Sequence, residues 1–145
     1  MKCVVDSSVW VSVASNTEPF HEQSVKFLRT IETEHIAIMC PRLTLLESMA
    51  AITRQRPDNT IAAQSLVELI QKFPRLKVIE LTRRVMIESM QVAMTSRLRA
   101  GDAIHVAVAK IYQARLVTLD DQMIERCGMD LNVMRPADWS MRTRM

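Results

Sequence analysis

The chain has 145 residues, of which 48% are hydrophobic and 24% are charged, so it can bury one compact core. We expect a single domain over residues 1–145, because two ordinary domains need a longer chain. Aromatic residues make up only 4%, which argues against a base-stacking platform, and the net charge of +3 is compatible with a polyanionic partner without requiring one.

Apolar patterning predicts strands and helices in alternation. From the N-terminus, the predicted elements are a strand at 2–5, a helix at 7–14, a helix after Pro19, a strand at 36–39, and helices at 42–54 and 57–72. The second half continues with a strand at 76–81, helices at 83–98 and 101–114, a strand at 115–119, a short helix at 121–127 and a strand at 131–134. Ser7, Ser8 and Thr82 are candidate helix caps, and Pro57 is expected to open the fourth helix.

Strands that alternate with helices of this length favour right-handed crossovers and a parallel sheet covered on both faces. The predicted fold class is therefore α/β, with three layers and a central parallel sheet of four to five strands. Ligands of such sheets bind beyond the carboxyl ends of the strands. Asp6 and Asp120 each directly follow a predicted strand, so we expect the chemistry at that edge.

What the sequence lacks also restricts the function. Cys3, Cys40 and Cys127 are far apart and lack C-x-x-C spacing, so neither a disulfide framework nor a thiolate zinc site is expected. Asp6 interrupts the N-terminal apolar run early, which argues against a signal peptide. No stretch approaches the roughly 20 apolar residues of a membrane span. We expect a cytoplasmic protein that does not bind a membrane.

Each acidic residue of interest has an ordinary structural interpretation. Asp6 can cap a helix, Asp102 starts a helix whose dipole favours an anion, and Asp120 or its neighbour Asp121 can belong to a turn. Glu47 can be a solvated helical residue. Its apolar neighbours, however, make a carboxylate costly there unless it is paired or bound to a cation.

Taken together, the acids indicate a metal site. Four carboxylates within a few ångströms cannot all remain ionised without a counter-charge, so either several are protonated or cations bind them. Oxygen ligands without paired histidine or cysteine select Mg²⁺ or Mn²⁺ over zinc. Such a site can activate water and neutralise phosphate oxygens, and phosphodiester hydrolysis is the reaction that fits best.

A family resemblance rests on four stretches: VVDSSVW from Val4, LLESMAAI from Leu45, LRAGDAIHVAVAK from Leu98 and LVTLDDQM from Leu116. In this order, and over nearly the whole chain, they resemble the PIN-domain family, especially the VapC-type toxins of bacterial toxin–antitoxin systems. The resemblance implies a PIN-like α/β/α fold and an endoribonuclease that depends on Mg²⁺ or Mn²⁺, as the toxin of a type II module. It also implies an RNA substrate, a homodimer and inhibition by a small antitoxin protein.

The resemblance also assigns residues. The family acids, which are both catalytic and metal-binding, map onto Asp6, Glu47, Asp102 and Asp120, with Asp121 as the alternative to Asp120. One metal ion and two metal ions are both compatible with this set. The hydroxyl positions nearby are Ser8, or Ser7, and Thr118. These hydroxyls either order a water molecule or only satisfy backbone groups.

Residues around Asp102 extend the predicted site. An acidic cleft needs nearby cations to attract RNA, and Arg97 and Arg99 closely precede Asp102, so we expect both to bind RNA. The ordinary alternative is that Arg97 and Arg99 simply belong to a solvated, charged surface. His105 can share a helix face with Asp102, and the sequence favours a packed histidine over a metal ligand.

Other classes of protein fit the sequence less well than a nuclease does. One is a non-catalytic RNA- or protein-binding module with the same fold, against which the four acids argue. A phosphatase of the haloacid dehalogenase type needs a second aspartate two residues after the first, where this chain has Ser8. A phospho-receiver needs paired acids near the N-terminus and a late-strand lysine, and neither is apparent.

Overall fold

A computed structural model describes residues 1–127 and 131–139 of the chain. Within these residues a five-stranded sheet is formed by β1 (Lys2–Val5), β2 (Ala37–Pro41), β3 (Leu76–Ile79), β4 (Arg115–Val117) and β5 (Val133–Met134). The strand order is β3-β2-β1-β4-β5, and every neighbouring pair is parallel. The predicted α/β class with a central parallel sheet is confirmed.

Helices cover both faces of this sheet. Those in the described residues are α1 (Ser7–Val13), α2 (His21–Thr33), α3 (Arg42–Gln55), α4 (Thr60–Gln71), α5 (Arg83–Ser96), α6 (Ala100–Tyr112) and α7 (Asp121–Cys127). Helices α1 to α4 pack on one face and α5 to α7 on the other. None of them combines the length and the apolar character that crossing a bilayer requires.

The three layers follow from the alternation of side chains along β1. Successive side chains of a strand point to opposite faces of its sheet. Cys3 and Val5 accordingly join the core beneath α1 to α4, whereas Val4 joins the core beneath α6. All three side chains are completely buried, as expected for a strand in the middle of a covered parallel sheet.

The first helix begins at Ser7 as predicted, but its cap differs from the prediction. Neither Ser7 nor Ser8 caps α1, because Asp6 occupies the N-cap position and makes no side-chain capping bond. The carboxylate of Asp6 is instead turned toward the end of β4, as described below. The expected serine cap is therefore wrong.

The starts of α4 and α5 show how local capping decides a boundary. Helix α4 begins at Thr60 rather than at Pro57, because the Asn59 side chain accepts a hydrogen bond from the Ala62 backbone N–H at 3.1 Å. The predicted cap of α5, Thr82, is confirmed. Strands β3, β4 and β5 are each shorter than the sequence patterns predict.

The sheet has a topological switch point between β1 and β4. From β1 the chain builds β2 and β3 on one side, then returns to place β4 and β5 on the other. Strand β4 ends at Val117, whose carbonyl oxygen accepts a 2.9 Å hydrogen bond from the Asp6 N–H. Loops diverge at such a point and leave a crevice where ligands of open α/β sheets bind.

Candidate metal centre

Asp6 lies at the end of β1 and is only 4% exposed. Its Oδ2 atom accepts hydrogen bonds from Ser8 Oγ at 2.7 Å and from Thr118 Oγ1 at 2.9 Å. Its Oδ1 atom lies 3.7 Å from His105 Nε2. The two hydroxyl groups hold Oδ2, and this fixes the orientation in which Oδ1 meets the neighbouring helices.

The same two hydroxyl groups connect the ends of β1 and β4. Ser8 Oγ accepts a 3.1 Å hydrogen bond from the Leu119 N–H, and Thr118 Oγ1 accepts one of 3.0 Å from the Asp120 N–H. Each hydroxyl thus donates to Asp6 and accepts from the loop that follows β4. The structure places both predicted hydroxyl residues against the Asp6 carboxylate, where they order that side chain.

The Glu47 side chain extends from α3 toward Asp6 and His105. One oxygen of Glu47, one of Asp6 and a ring nitrogen of His105 lie within 4.8 Å of one another. Glu47 Oε1 is buried and has no hydrogen-bond partner in the part of the chain that the structure describes. An unpaired buried carboxylate oxygen is costly, which makes this atom a candidate ligand for a cation.

Electrostatics around Glu47 agree with that interpretation. Burial raises the pKa of Glu47 most strongly, and the neighbouring charges of Asp6 and Asp102 raise it further. His105 and a hydrogen bond from Ser7 act in the opposite direction. A carboxyl group whose charged form is disfavoured by burial and by like charges becomes a strong ligand once a divalent ion supplies the missing countercharge.

His105 packs between α6 and α3 and is completely buried. Its Nδ1 lies 2.8 Å from the Gly101 carbonyl oxygen, and its Nε2 lies 2.8 Å from Thr44 Oγ1. A carbonyl oxygen can only accept, so we assign the hydrogen of a neutral ring to Nδ1. Nε2 then accepts from the Thr44 hydroxyl, and this agrees with the packed role that the sequence favours.

Asp102 lies in the first turn of α6, whose N-cap position is occupied by Arg99. Burial is the main cause that raises the pKa of Asp102, and the charges of Asp6 and Asp120 raise it as well. His105 and Arg99 lower it. The carboxylates of Asp6, Asp102 and Asp120 are therefore electrostatic neighbours, although Asp102 and Asp120 are outside the group of atoms within 4.8 Å.

The two adjacent aspartates after β4 have different environments. Asp120 Oδ1 accepts hydrogen bonds from the backbone N–H groups of Gln122 at 2.8 Å and Met123 at 3.4 Å, as a cap of α7. Asp121 forms an ion pair with Arg135, and its side chain is 71% exposed. Asp120, and not Asp121, is among the charges that raise the pKa of Asp102, so Asp120 is the one of the two that is electrostatically coupled to the other acids.

The donor atoms fit a hard divalent cation. Asp6, Glu47, Asp102 and Asp120 offer carboxylate oxygens, which Mg²⁺ and Mn²⁺ prefer. Among the described residues, no lysine or arginine pairs with Asp6 or Glu47, and a neutral His105, whose Nε2 lies 3.7 Å from one oxygen of each, supplies no positive charge. The orphaned Glu47 Oε1 atom supports the same conclusion.

Arg97 and Arg99 are both exposed beside α6. Arg99 is close enough to lower the pKa of Asp102. Arg97 has a left-handed backbone with φ of 55°, and its carbonyl oxygen accepts a hydrogen bond from Arg126. The structure thus brings Arg99 to the acids and gives Arg97 no such contact in the described part of the chain.

Cys3, Cys40 and Cys127 are all buried, which argues against a nucleophilic role for their thiols. Burial raises the pKa of the Cys3 thiol to about 12 and that of Cys40 to about 11. A nucleophilic cysteine needs an accessible thiolate, and these groups stay protonated near neutral pH.

Two residues near the acids were missed as site residues. Thr44 precedes Glu47 by one turn of α3, and only its contact with His105 reveals its role. The sequence marks Gly101 only as the first residue of a predicted helix, whereas in the structure it contacts Glu47. Thr44 and Gly101 lie close to Glu47 and Asp102 in the sequence, and this spacing alone could have suggested them as site residues. Their contacts with His105 and Glu47, however, join two different helices, which the sequence does not indicate.

Comparison with known families identifies the fold. The family model of the PIN domain matches residues 3–128. The chain therefore belongs to the PIN domain family. No curated protein gives a significant match.

Solved structures show the same fold at low identity. The Mycobacterium tuberculosis toxin VapC20, described as cleaving the sarcin–ricin loop, has a TM-score of 0.73 and 14% identity over 89% of this chain and 95% of that chain. VapBC2 from Rickettsia felis, bound to promoter DNA, has a TM-score of 0.70 and 14% identity over 92% and 97%. A toxin–antitoxin complex from Klebsiella pneumoniae has a TM-score of 0.65 and 15% identity, again over 92% and 97%.

Proposed function

We propose that this single PIN domain is an endoribonuclease that depends on Mg²⁺ or Mn²⁺ and acts as the toxin of a type II toxin–antitoxin module. The observation that carries the proposal is the buried, unpartnered Glu47 Oε1 beside the almost buried Asp6. Two such carboxylates need a cation, and a carboxylate-bound divalent ion is suited to phosphodiester chemistry. Membership of the PIN family supports nuclease activity.

Each acid has a proposed role. Asp6, Asp102 and Asp120 would hold the ion, and Glu47 would complete its shell or orient the attacking water. The ion would supply Lewis acidity, which neutralises phosphate oxygens and lowers the pKa of water. Ser8 and Thr118 hold Asp6 in the orientation that this requires. In-line attack on phosphorus breaks its bond to the 3′-oxygen and leaves a 5′-phosphate and a 3′-hydroxyl.

A small antitoxin is the proposed protein partner, together with self-association into a homodimer. Two of the structures compared are toxin–antitoxin assemblies, which supports a partner of this class. Helix α5 also carries an exposed apolar stripe, defined by Met86, Met90 and Met94, which are 42%, 64% and 71% exposed. Contiguous apolar surface of this kind is typical of a protein interface.

The decisive experiment is cleavage of a panel of transfer and messenger RNAs by the purified protein. We expect cleavage with Mg²⁺ or Mn²⁺, none with excess chelator, and none by Asp6→Asn or Asp102→Asn. Equal cleavage with chelator, or by the Asp102→Asn variant, would refute the proposal. A chain that binds neither ion in calorimetry would instead be a non-catalytic binding module. A short upstream reading frame for a small DNA-binding protein would favour a toxin over a housekeeping nuclease.

A further inference from the structure

Gly101 is in direct contact with the Glu47 carboxylate. A β-carbon added at Gly101 would lie 2.5 Å from Glu47 Oε2, 3.4 Å from Glu47 Cδ and 3.6 Å from Leu43 Cδ2. The first of these distances is too short for two non-bonded atoms, while the contact with Leu43 is an ordinary one. The Glu47 carboxylate thus occupies the space that a side chain at position 101 would need.

Backbone geometry does not account for this glycine. Gly101 is the second residue of α6 and has no positive φ. Glycine is the least favourable residue in a helix after proline, and the neighbours Ala100 and Ala103 are alanines. Close approach of another group is the second common reason for a glycine, and Glu47 is the group that approaches.

The helices on either side of this contact are tied together. The His105 Nδ1–H donates to the Gly101 carbonyl oxygen, and the Thr44 hydroxyl donates to His105 Nε2. This connection runs from α3 to α6 one turn away from Glu47. Each helix is anchored in its own core on one face of the sheet, whereas Glu47 Oε2 is the end of a flexible side chain, so a methyl group at position 101 would displace the carboxylate rather than the helices.

We propose that Gly101 is a positioning residue: because it has no side chain, it leaves the space that the Glu47 carboxylate of α3 needs in order to reach the metal centre. The inference rests on the proposed function and takes the first of the two roles proposed for Glu47, that of an ion ligand. Glycine at this position favours ion binding at the expense of helix stability. Stability and metal affinity should therefore respond in opposite directions to the same substitution.

The test is Gly101→Ala, studied by urea unfolding of the metal-free protein and by calorimetric titration with Mn²⁺. We expect a stability equal to or above that of the wild type, and an Mn²⁺ affinity lower by roughly 10- to 100-fold, the usual range for residues that orient metal ligands. Ala100→Gly is the matched control in the same helical turn. It should lower stability and leave Mn²⁺ affinity unchanged.

A double-mutant cycle identifies the contact responsible. In the Glu47→Ala background, Gly101→Ala should cause no further loss of Mn²⁺ affinity, because the carboxylate that it displaces is gone. Equal Mn²⁺ affinity of the wild type and Gly101→Ala would overturn this inference alone. So would a destabilised Gly101→Ala, because its methyl group would then clash with something other than a mobile carboxylate. A wild type that binds neither Mn²⁺ nor Mg²⁺ would overturn the proposed function as well.

Discussion

The Thr118 hydroxyl donates a 2.9 Å hydrogen bond to Asp6 Oδ2, although the two residues are 112 positions apart in the sequence. This bond spans the switch point between β1 and β4. It occupies one oxygen of a carboxylate that is almost completely buried and leaves Oδ1 to face Glu47 and His105. The position of one site oxygen thus depends on the pairing of two strands.

Thr118→Val is expected to weaken both folding and metal binding. It removes a hydrogen bond to a buried carboxylate and leaves the Asp120 N–H without its acceptor, so the free energy of unfolding should fall by about 1–3 kcal/mol. Mn²⁺ affinity should fall roughly tenfold or more. Urea unfolding and calorimetry measure the two effects. Thr118→Ser keeps the oxygen and is the control, and a valine variant that binds Mn²⁺ like the wild type would contradict the positioning role.

Thr44→Val should destabilise the protein, although it removes no hydrogen bond to an acidic residue. The substitution leaves His105 Nε2 without a donor in a completely buried environment, which should lower the free energy of unfolding by about 1–3 kcal/mol. Thr44→Ser should lose much less. Imidazole ¹⁵N spectra check the underlying assignment, because the wild type should show the Nδ1–H tautomer. A neutral ring protonated at Nε2 would show that the assignment is wrong.

Metal-free stability and metal affinity should change in opposite directions with pH. The pKa values of Glu47 and Asp102 are raised, chiefly by burial, so from about pH 4 upward the folded chain holds protons that the unfolded chain has lost. The contribution of these two groups to stability is therefore fully present below their pKa in the unfolded chain. It is lost as the pH rises through their higher pKa in the folded chain. Mn²⁺ must displace the same protons, so its affinity rises through this window.

The pH experiment needs a matched variant, because other groups also titrate. Urea unfolding at several pH values should show a smaller decline for the Glu47→Gln, Asp102→Asn double variant than for the wild type. Calorimetry in buffers of different ionisation enthalpy counts the protons that Mn²⁺ releases. Identical pH dependence of stability in both proteins would show that these two carboxyl groups are not the source.

Neutralising Arg99 should weaken RNA binding and flatten its salt dependence. Arg99 is exposed and acts on the Asp102 carboxylate, so it can meet an RNA phosphate at the acids. Loss of one phosphate contact lowers the slope of log K against log salt by about 0.7 for a single strand. We expect Arg99→Gln to have a larger effect than Arg97→Gln, and Arg29→Gln on α2 to have none. Unchanged slopes in both Arg97 and Arg99 variants would count against an RNA contact here.

The apolar stripe of α5 provides a prediction about partners. Met90→Glu combined with Met94→Glu places charge on an exposed face, so it should abolish self-association or antitoxin binding while the Mn²⁺ affinity stays unchanged. Light scattering after size-exclusion chromatography measures the first effect, and titration with the antitoxin the second. Gln91→Glu, on the same helix, controls for added charge. If both associations survive, this face is not the interface.

Local patterns in the sequence were enough to predict the architecture. Alternating apolar runs place the strands and helices because burial acts on each segment separately, and alternation of the two types implies a parallel sheet. Acids that directly follow strands indicate the edge where chemistry belongs, and this is why Asp6 and Asp120 could be named. Exact ends were less predictable, since a single cap such as Asn59 moves the start of a helix.

Four carboxylates around a cation were thus a prediction of the sequence, whereas the contacts that arrange them depend on tertiary structure. Helices α3 and α6 lie on opposite faces of the sheet, and only the contacts of their first turns beyond the sheet edge bring Glu47 onto Gly101 and Thr44 onto His105, the latter two 61 positions apart. Asp121 is likewise distinguished from Asp120 by its ion pair with Arg135, whereas Asp120 caps α7 and acts on Asp102. These contacts depend on helix separation and side-chain direction to within an ångström, and no periodicity along the chain encodes them.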